Sequence, residues 1–209
     1  EADIAGFAAR RIATEANGRL RGLGICSYLE VTAPPGKEMG GIRFEDDGTV
    51  SIITGTLNYG QGHASTFAQI LVDKLGVPFD RVRLIQGDSD ELLHGGGTGG
   101  SRSVMASGTA IHAAGDQVID KGRVLAGHIL EAAAEDIEFA RGRFTVAGTD
   151  RAIGIMDLAE RVRMESELPD DAPTSLDAAL VVDTPPSAFP NGCHVCEAEI
   201  DPETGQVRI

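Results

Sequence analysis

The 209-residue chain has no Trp, 2 Tyr and 7 Phe, so aromatic side chains make up only 4% of it. That scarcity argues against an aromatic cage for a ligand. Basic residues are few: 18 Lys and Arg stand against 32 Asp and Glu, a net charge of −14. Sequence-independent nucleic-acid binding needs clustered Lys and Arg and is disfavoured. No apolar run approaches the roughly 20 residues that span a bilayer. No signal peptide is read at the start, which is Glu1 rather than Met. The chain reaches Ile209 inside what reads as a strand. Both ends are therefore expected to be boundaries within a longer protein, with an unpaired edge strand at the second.

Cysteine is also scarce. Cys26, Cys193 and Cys196 form no disulfide framework, which points to a reducing compartment and a cytoplasmic location. The Cys193-His194-Val195-Cys196 run could be half of a metal site. A zinc site wants four ligands, and no second pair with suitable spacing is present. On a strand, residues three apart point to opposite faces, so buried thiols on a strand are the expected reading.

Glycine, by contrast, is abundant, at 27 residues, in a chain that is 42% hydrophobic and 24% charged. This is the composition of a globular protein with many tight turns, long enough for one substantial domain or two small ones. Residues 3–18 read as a helix with Ile4, Phe7, Ala8 and Ile12 on one apolar face and Asn17-Gly18 as its stop. Residues 19–33 read as extended, up to Pro34-Pro35-Gly36. Alternation around Asp47-Gly48 predicts a hairpin of Ile42 and Phe44 with Val50 and Ile52. A helix bearing Phe67, Ile70, Leu71 and Leu75 follows, ended by Gly76 and Pro78, and then a strand at 82–85.

An Ala-rich helix is expected from about 103 to 134. Its internal glycines at 108, 115, 122 and 127 suggest close packing against another element, because each costs a helix roughly 1 kcal/mol relative to Ala. A second hairpin pairs Ile137 and Phe139 with Phe144 and Val146 around Arg141-Gly142. A short helix is read at 156–162, an acidic exposed loop at 163–177, strands at 178–183 and 193–200, and a turn at 201–205. The fold class expected is α+β: mixed, largely antiparallel sheets with helices packed on them. The partly repeated element order suggests two related subdomains, 19–100 and 101–209.

Two segments carry candidate chemistry. Each is a glycine-rich loop between a strand and a helix: Gly60, Gln61, Gly62 and His63, then residues 94–103 with Gly97, Thr98, Gly99, Gly100, Ser101, Arg102 and Ser103. Such loops offer unpaired backbone N–H groups and the positive end of a helix dipole to an anion. Ser65, Thr66, Thr98, Ser101 and Ser103 add hydroxyl donors, and Arg102 a guanidinium fork suited to phosphate. Neither loop is a P-loop, and neither is a dinucleotide-binding Gly-x-Gly-x-x-Gly. Either alone reads as a structural turn; together they favour an anion-binding surface for an elongated ligand. His63 reads as a metal ligand, a base or a cap partner, and Gln61 as a donor to a ligand oxygen or to its own loop. Asp88 and Asp90 read as solvated. No Ser-His-Asp set and no paired metalloprotease histidines are present.

The run Asn58-Tyr59-Gly60-Gln61-Gly62-His63, with Phe67-Ala68-Gln69, resembles the molybdopterin-contacting segment of the xanthine dehydrogenase/aldehyde oxidase family. Leu75-Gly76-Val77-Pro78, Val82-Arg83 and Gly87-Asp88 resemble it too, and Gly96 to Ser103 resembles the family's second cofactor loop. The form is most similar to bacterial carbon-monoxide-dehydrogenase-like large subunits, over most of residues 19–209. The resemblance implies a molybdopterin, in bacteria usually its cytosine dinucleotide form, held without a covalent protein–metal bond. Gln61 would hydrogen-bond the molybdenum-side oxygen or the pterin. Gly62 and His63 would lie near the phosphates, and residues 98–103 along the pterin and pyrophosphate.

It further implies an oxidoreductase acting on an aldehyde, an N-heterocycle or CO, with FAD and [2Fe-2S] centres on partner chains or domains. The holoenzyme is expected to be an oligomer. The family's glutamate base is not found before Ile209, nor is the copper-binding cysteine loop of carbon-monoxide enzymes. This chain alone is therefore expected to be inactive and to hold little or no molybdenum. The alternatives are a non-catalytic module binding a phosphate or nucleotide through the same loops, and a structural α+β domain docking through its acidic surface.

Overall fold

The structure, a computed structural model, describes residues 2–165 and 168–209. Ser166 and Glu167, inside the acidic stretch expected as a loop at 163–177, lie outside the described residues. The chain divides into two compact units, Glu1–Val31 with Phe189–Ile209, and Thr32–Ala188. This division cuts the chain at other places than the subdomains 19–100 and 101–209. The reason is pairing: distant segments join in sheets that no element order announces.

In the first unit, a 3-10 turn at Ile4–Gly6 leads into α1 (Phe7–Ala16). Asn17 caps α1 and Gly18 turns away at φ 73°. Strand β1 (Leu20–Leu29) pairs antiparallel along its whole length with β9 (Asn191–Ile200), and β10 (Val207–Arg208) adds to the other edge of β9. The apolar face expected on α1 is not a core face: Ile4 and Ile12 are exposed and Thr14 is its one buried residue. Instead, the side of α1 toward the sheet is polar. Arg10 donates to Glu197 Oε1 at 3.0 Å, and Thr14 accepts from Arg21 Nε at 2.6 Å. The expected strand at 193–200 is present, but Cys193 and Cys196 are exposed rather than buried, as is Cys26 on the paired strand, because both strands belong to a thin sheet.

The second unit holds a four-stranded sheet. Strands β2 (Lys37–Phe44) and β3 (Val50–Thr54) form the hairpin, with Ile42 opposite Ile52 and Phe44 opposite Val50. Helix α2 (His63–Leu75) crosses over from β3 to β4 (Val82–Gln86), which runs parallel to β3. Gly76 ends α2 in the left-handed region at φ 67° and donates to Val72 O at 2.8 Å. A π-helical stretch, Val104–Gly108, precedes α3 (Thr109–Ile129). The long helix thus stops earlier than 134 and begins with a wider turn. The second hairpin, β5 (Ile137–Ala140) and β6 (Arg143–Val146), has the expected register and gains a third strand, β7 (Ala152–Gly154). Helix α4 (Ile155–Met164) and β8 (Ala178–Asp183) follow, and β8 pairs with β2.

One apolar cluster fills this unit: Ile42, Ile52, Phe67, Leu71, Leu75, Ile111, Val118, Phe144 and Leu158 belong to it. The α3 glycines serve close approach. A Cβ on Gly122 would lie 2.1 Å from Phe144 Cζ, so the ring sits against the bare helix backbone. Among the described residues no helix is long and apolar enough to cross a membrane.

Candidate functional site

Both glycine loops belong to the second unit, and the first leaves the sheet at the carboxyl end of β3. In open sheets with parallel neighbours and a crossover helix, that end is where ligands bind. The first loop is shaped by its own side chains. Asn58 Oδ1 accepts from the N–H of Gly60 at 3.3 Å and of Gly62 at 3.1 Å, an Asx-type turn. Gln61 Oε1 accepts from Tyr59 N–H. Gly62 caps α2 at φ 75°, and no side chain caps the helix. Its carbonyl accepts from Ser65 N–H at 3.1 Å and Thr66 N–H at 3.2 Å. The start of α2 therefore offers backbone donors with no side-chain cap in front of them. Ser65 is exposed, whereas the Thr66 hydroxyl turns back onto the carbonyls of Gly62 and His63, both at 3.3 Å.

His63, the first residue of α2, is 2% exposed and stacks on Phe67 with ring centroids 4.8 Å apart. Its Nδ1 lies 3.2 Å from Gln86 Nε2, and its Nε2 is buried without a hydrogen-bond partner. Burial holds its imidazole below the usual histidine range, in the neutral form.

In the second loop, Gly97, Gly100 and Ser101 have φ of 66°, 59° and 50°. Arg102 holds this shape from within: Nε donates to Gly99 O at 3.0 Å and Nη1 to Gly96 O at 3.4 Å. Ala33 N–H donates to Gly100 O at 3.0 Å, tying the loop to the chain before β2. Ser103 precedes the π-helical stretch and makes no capping bond.

The two loops are one structure. Thr98 Oγ1 donates to Leu57 O at 2.6 Å and accepts from Leu57 N–H at 2.9 Å, so one hydroxyl satisfies both backbone groups of the other loop. Behind this brace the backbones nearly touch: a Cβ on Gly55 would lie 2.2 Å from Gly95 Cα. Glu38, fully buried, accepts at Oε1 from Met39 N–H at 2.8 Å and Gly55 N–H at 3.1 Å, and its Oε2 has no partner. Thr54 and Thr56 both meet Ser107 Oγ at 2.9 Å in a buried hydroxyl ladder. Above Gly60, Gly62, Gly97 and Gly99 a Cβ would meet nothing within 4 Å, so these glycines face open space.

The structure thus brings both predicted loops together. It also turns three predicted donors inward: the Thr66 hydroxyl bonds the carbonyls of Gly62 and His63, the Thr98 hydroxyl is used up by Leu57, and the Arg102 guanidinium braces its own loop. Glu38, Thr56, Gln86 and Ser107 were not singled out by the sequence. Glu38 and Gln86 lie on strands, Ser107 in the π-helical stretch and Thr56 just after β3, and these scattered positions carry no local pattern. Asn58 had a signal, the Asn-x-Gly turn chemistry. Among the described residues no group of three His, Cys, Asp or Glu is placed to hold a metal.

Residues 1–209 match the family described as "Molybdopterin cofactor-binding domain". The carbon monoxide dehydrogenase large chain of Hydrogenophaga pseudoflava is 32% identical over 202 residues, covering 91% of this chain and 25% of the relative. The 6-hydroxypseudooxynicotine dehydrogenase complex subunit gamma of Paenarthrobacter nicotinovorans is 30% identical over 194 residues, 93% and 24% respectively. The crystal structure of quinoline 2-oxidoreductase from Pseudomonas putida 86 superposes with a TM-score of 0.79 at 29% identity, covering 98% of this chain and 28% of that one. The chain spans about a quarter of the length of the curated relatives it matches.

Proposed function

The chain belongs to the molybdopterin cofactor-binding domain family, and from that premise we propose that its two braced loops are the cradle that holds a molybdopterin in a molybdenum-dependent oxidoreductase. The observation that carries this is the Thr98–Leu57 brace, which sets two glycine-rich backbones side by side. The residues present suit such a ligand. It is large and anionic, and the chain offers it uncapped amides at the start of α2, open glycine backbone on both loops, and a buried His63 Nε2 lacking a partner.

When bound, the cofactor supplies the redox chemistry. The chain's residues bind and orient it. Gly60, Gly62, Gly97 and Gly99 leave room for contact with backbone. Gln61 keeps its amide N–H groups for a ligand oxygen while its Oε1 is held by Tyr59. Ser65, Ser101 and Ser103 offer hydroxyls from the loop rims. Thr66, Thr98, Gly100 and Arg102 keep the loops in shape. No catalytic proton transfer is assigned to any of these side chains.

The finer reading is the cytosine dinucleotide form of the cofactor, in a cytoplasmic enzyme whose partner chains or domains carry FAD and [2Fe-2S]. The substrate class is a small molecule: an aldehyde, an N-heterocycle or CO. The relatives' names speak for this range, since they include a carbon monoxide dehydrogenase, a quinoline oxidoreductase and a subunit of a dehydrogenase complex.

The test is the full-length protein with Gly62→Val and Gly99→Val, each placing a branched side chain on the open backbone. Molybdenum per chain is read by elemental analysis and cytidine monophosphate by release on acid hydrolysis. Both are expected near one per chain in the unsubstituted protein and at least about tenfold lower in each variant, the loss that corresponds to about 1.4 kcal/mol. Unchanged retention in both variants contradicts the reading. Molybdenum without released cytidine monophosphate contradicts only the dinucleotide form.

A further inference from the structure

His63 and Gln86 make an arrangement that the binding of a large anion by backbone does not by itself require. Gln86 is the last residue of β4, and its amide lies 3.2 Å from His63 Nδ1 and 3.4 Å from Thr56 Oγ1. The Thr56 hydroxyl also meets Ser107 Oγ at 2.9 Å, and Ser107 Oγ accepts from Thr54 Oγ1 at 2.9 Å. A hydroxyl has one proton. Gln86 Nε2 donates to Thr56 Oγ1, which leaves the Thr56 proton free for Ser107 Oγ. The amide then presents its NH2 side to this corner, and the same group donates to His63 Nδ1.

A neutral imidazole has one N–H. With Nδ1 accepting, that proton lies on Nε2, the buried atom without a partner. Burial beside Phe67 favours the neutral state, and among the described residues no carboxylate is bonded to the ring. A buried donor without an acceptor is a costly thing to keep, and here it belongs to the first residue of the uncapped helix, which follows the open Gly60 and Gly62 in the chain.

We propose that Gln86 is a positioning residue for the cofactor: it locks His63 in the Nε2–H tautomer, so that a neutral donor is fixed for an acceptor oxygen of the ligand in the first loop. This rests on the cradle reading above and deepens it. A fixed, uncharged donor gives direction to the contact without adding a group that exchanges protons with the ligand. The hydroxyl ladder of Thr54, Thr56 and Ser107 is then what orients Gln86, and through it the ring. Histidine ligands are commonly fixed in this manner by the partner of their second nitrogen.

Two measurements test it in the full-length protein. The first is the ring 15N spectrum of His63 in cofactor-free protein with labelled histidine, assigned by its loss in His63→Gln. A protonated-type shift at Nε2 and an unprotonated-type shift at Nδ1 are expected. The reverse overturns the proposal whatever the cofactor does. The second is a double-mutant cycle on molybdenum retained per chain after dialysis.

His63→Gln keeps an amide N–H close to the Nε2 position and is expected to retain most of the molybdenum, whereas His63→Leu loses about tenfold, as for one hydrogen bond. Gln86→Leu is expected to lose about tenfold when His63 is present, and less than about twofold when it is added to the His63→Gln variant. Equal losses in both backgrounds would mean that Gln86 only supports the fold, and would overturn its role through the ring. Unsubstituted protein holding no molybdenum would sink the cradle reading, and the ligand half of this proposal with it, while the 15N result would still decide the tautomer.

Discussion

The two compact units hold their helices to their sheets in opposite ways. In the first, α1 lies on β1 and β9 through ions. Arg10, Arg19 and Arg21 reach Glu197 and Glu199, and Thr14 bridges between them. None of its apolar residues is buried: Ile12 is 69% exposed and Phe7 half-buried. In the second, α2 buries Phe67, Leu71 and Leu75 completely against the sheet and α3. The difference lies in what each sheet presents. The first sheet offers a row of arginine and glutamate, so the helix side that meets it must be polar. The second offers Ile42, Ile52 and their neighbours, and an apolar stripe is drawn to it. A site that must hold two loops at fixed spacing stands on the second kind of support, which close packing makes stiff.

The sharpest way to break this comparison is to truncate one apolar helix position on each side. Leu71→Ala, at 0% exposure, is expected to destabilise the protein by about 2–5 kcal/mol, while Ile12→Ala is expected to stay within about 0.5 kcal/mol. Denaturant unfolding of the two variants checks it. Equal effects would mean that the outward face of α1 is covered after all.

A smaller effect is expected at the brace. Thr98→Val removes the one hydroxyl that serves both backbone groups of Leu57, and is expected to cost about 1–3 kcal/mol. Thermal unfolding measures the cost, and molybdenum per chain should fall with it. A variant that loses stability but keeps its molybdenum would show that the brace is not part of the cradle.

The smallest effect distinguishes the ionic unit by pH. Hydrogen bonds from Arg10 and Arg21 hold the Glu197 carboxyl at about 2, below its ordinary 4.5. Glu199 is lowered as well, by Arg19 and Arg21. A carboxyl lowered in the folded state adds stability that is present above pH 4.5 and is lost as the pH falls toward 2. Amide protection in α1 should therefore fall within that window before protection in α2 does. Added salt should shift α1 in the same direction, since these groups are exposed enough to be screened. Loss of α2 first would contradict the assignment.

The same comparison explains how much was legible in the sequence. The hairpin registers, α2, α4 and the α+β class could be read from alternation and turn residues, because their local preference agrees with the partner they find. The expectation for α1 failed although its periodicity is of the same kind: Ile4, Phe7 and Ile12 recur at helical spacing, but none of the three is buried among the described residues. The two glycine loops were visible because a loop's chemistry is local. Their union was not, since it depends on Thr98 reaching Leu57 across 41 residues and on Gly55 meeting Gly95. Glu38 and Gln86 were invisible for the same reason: each matters only through what folding places beside it.

The central claim is that the two loops act as one cradle. Hydrogen–deuterium exchange of the full-length protein, prepared with and without the cofactor, tests it most directly. The account predicts that amides in 58–64 and in 96–103 become protected together when the cofactor is present. Protection of one loop alone, or of neither, would contradict it.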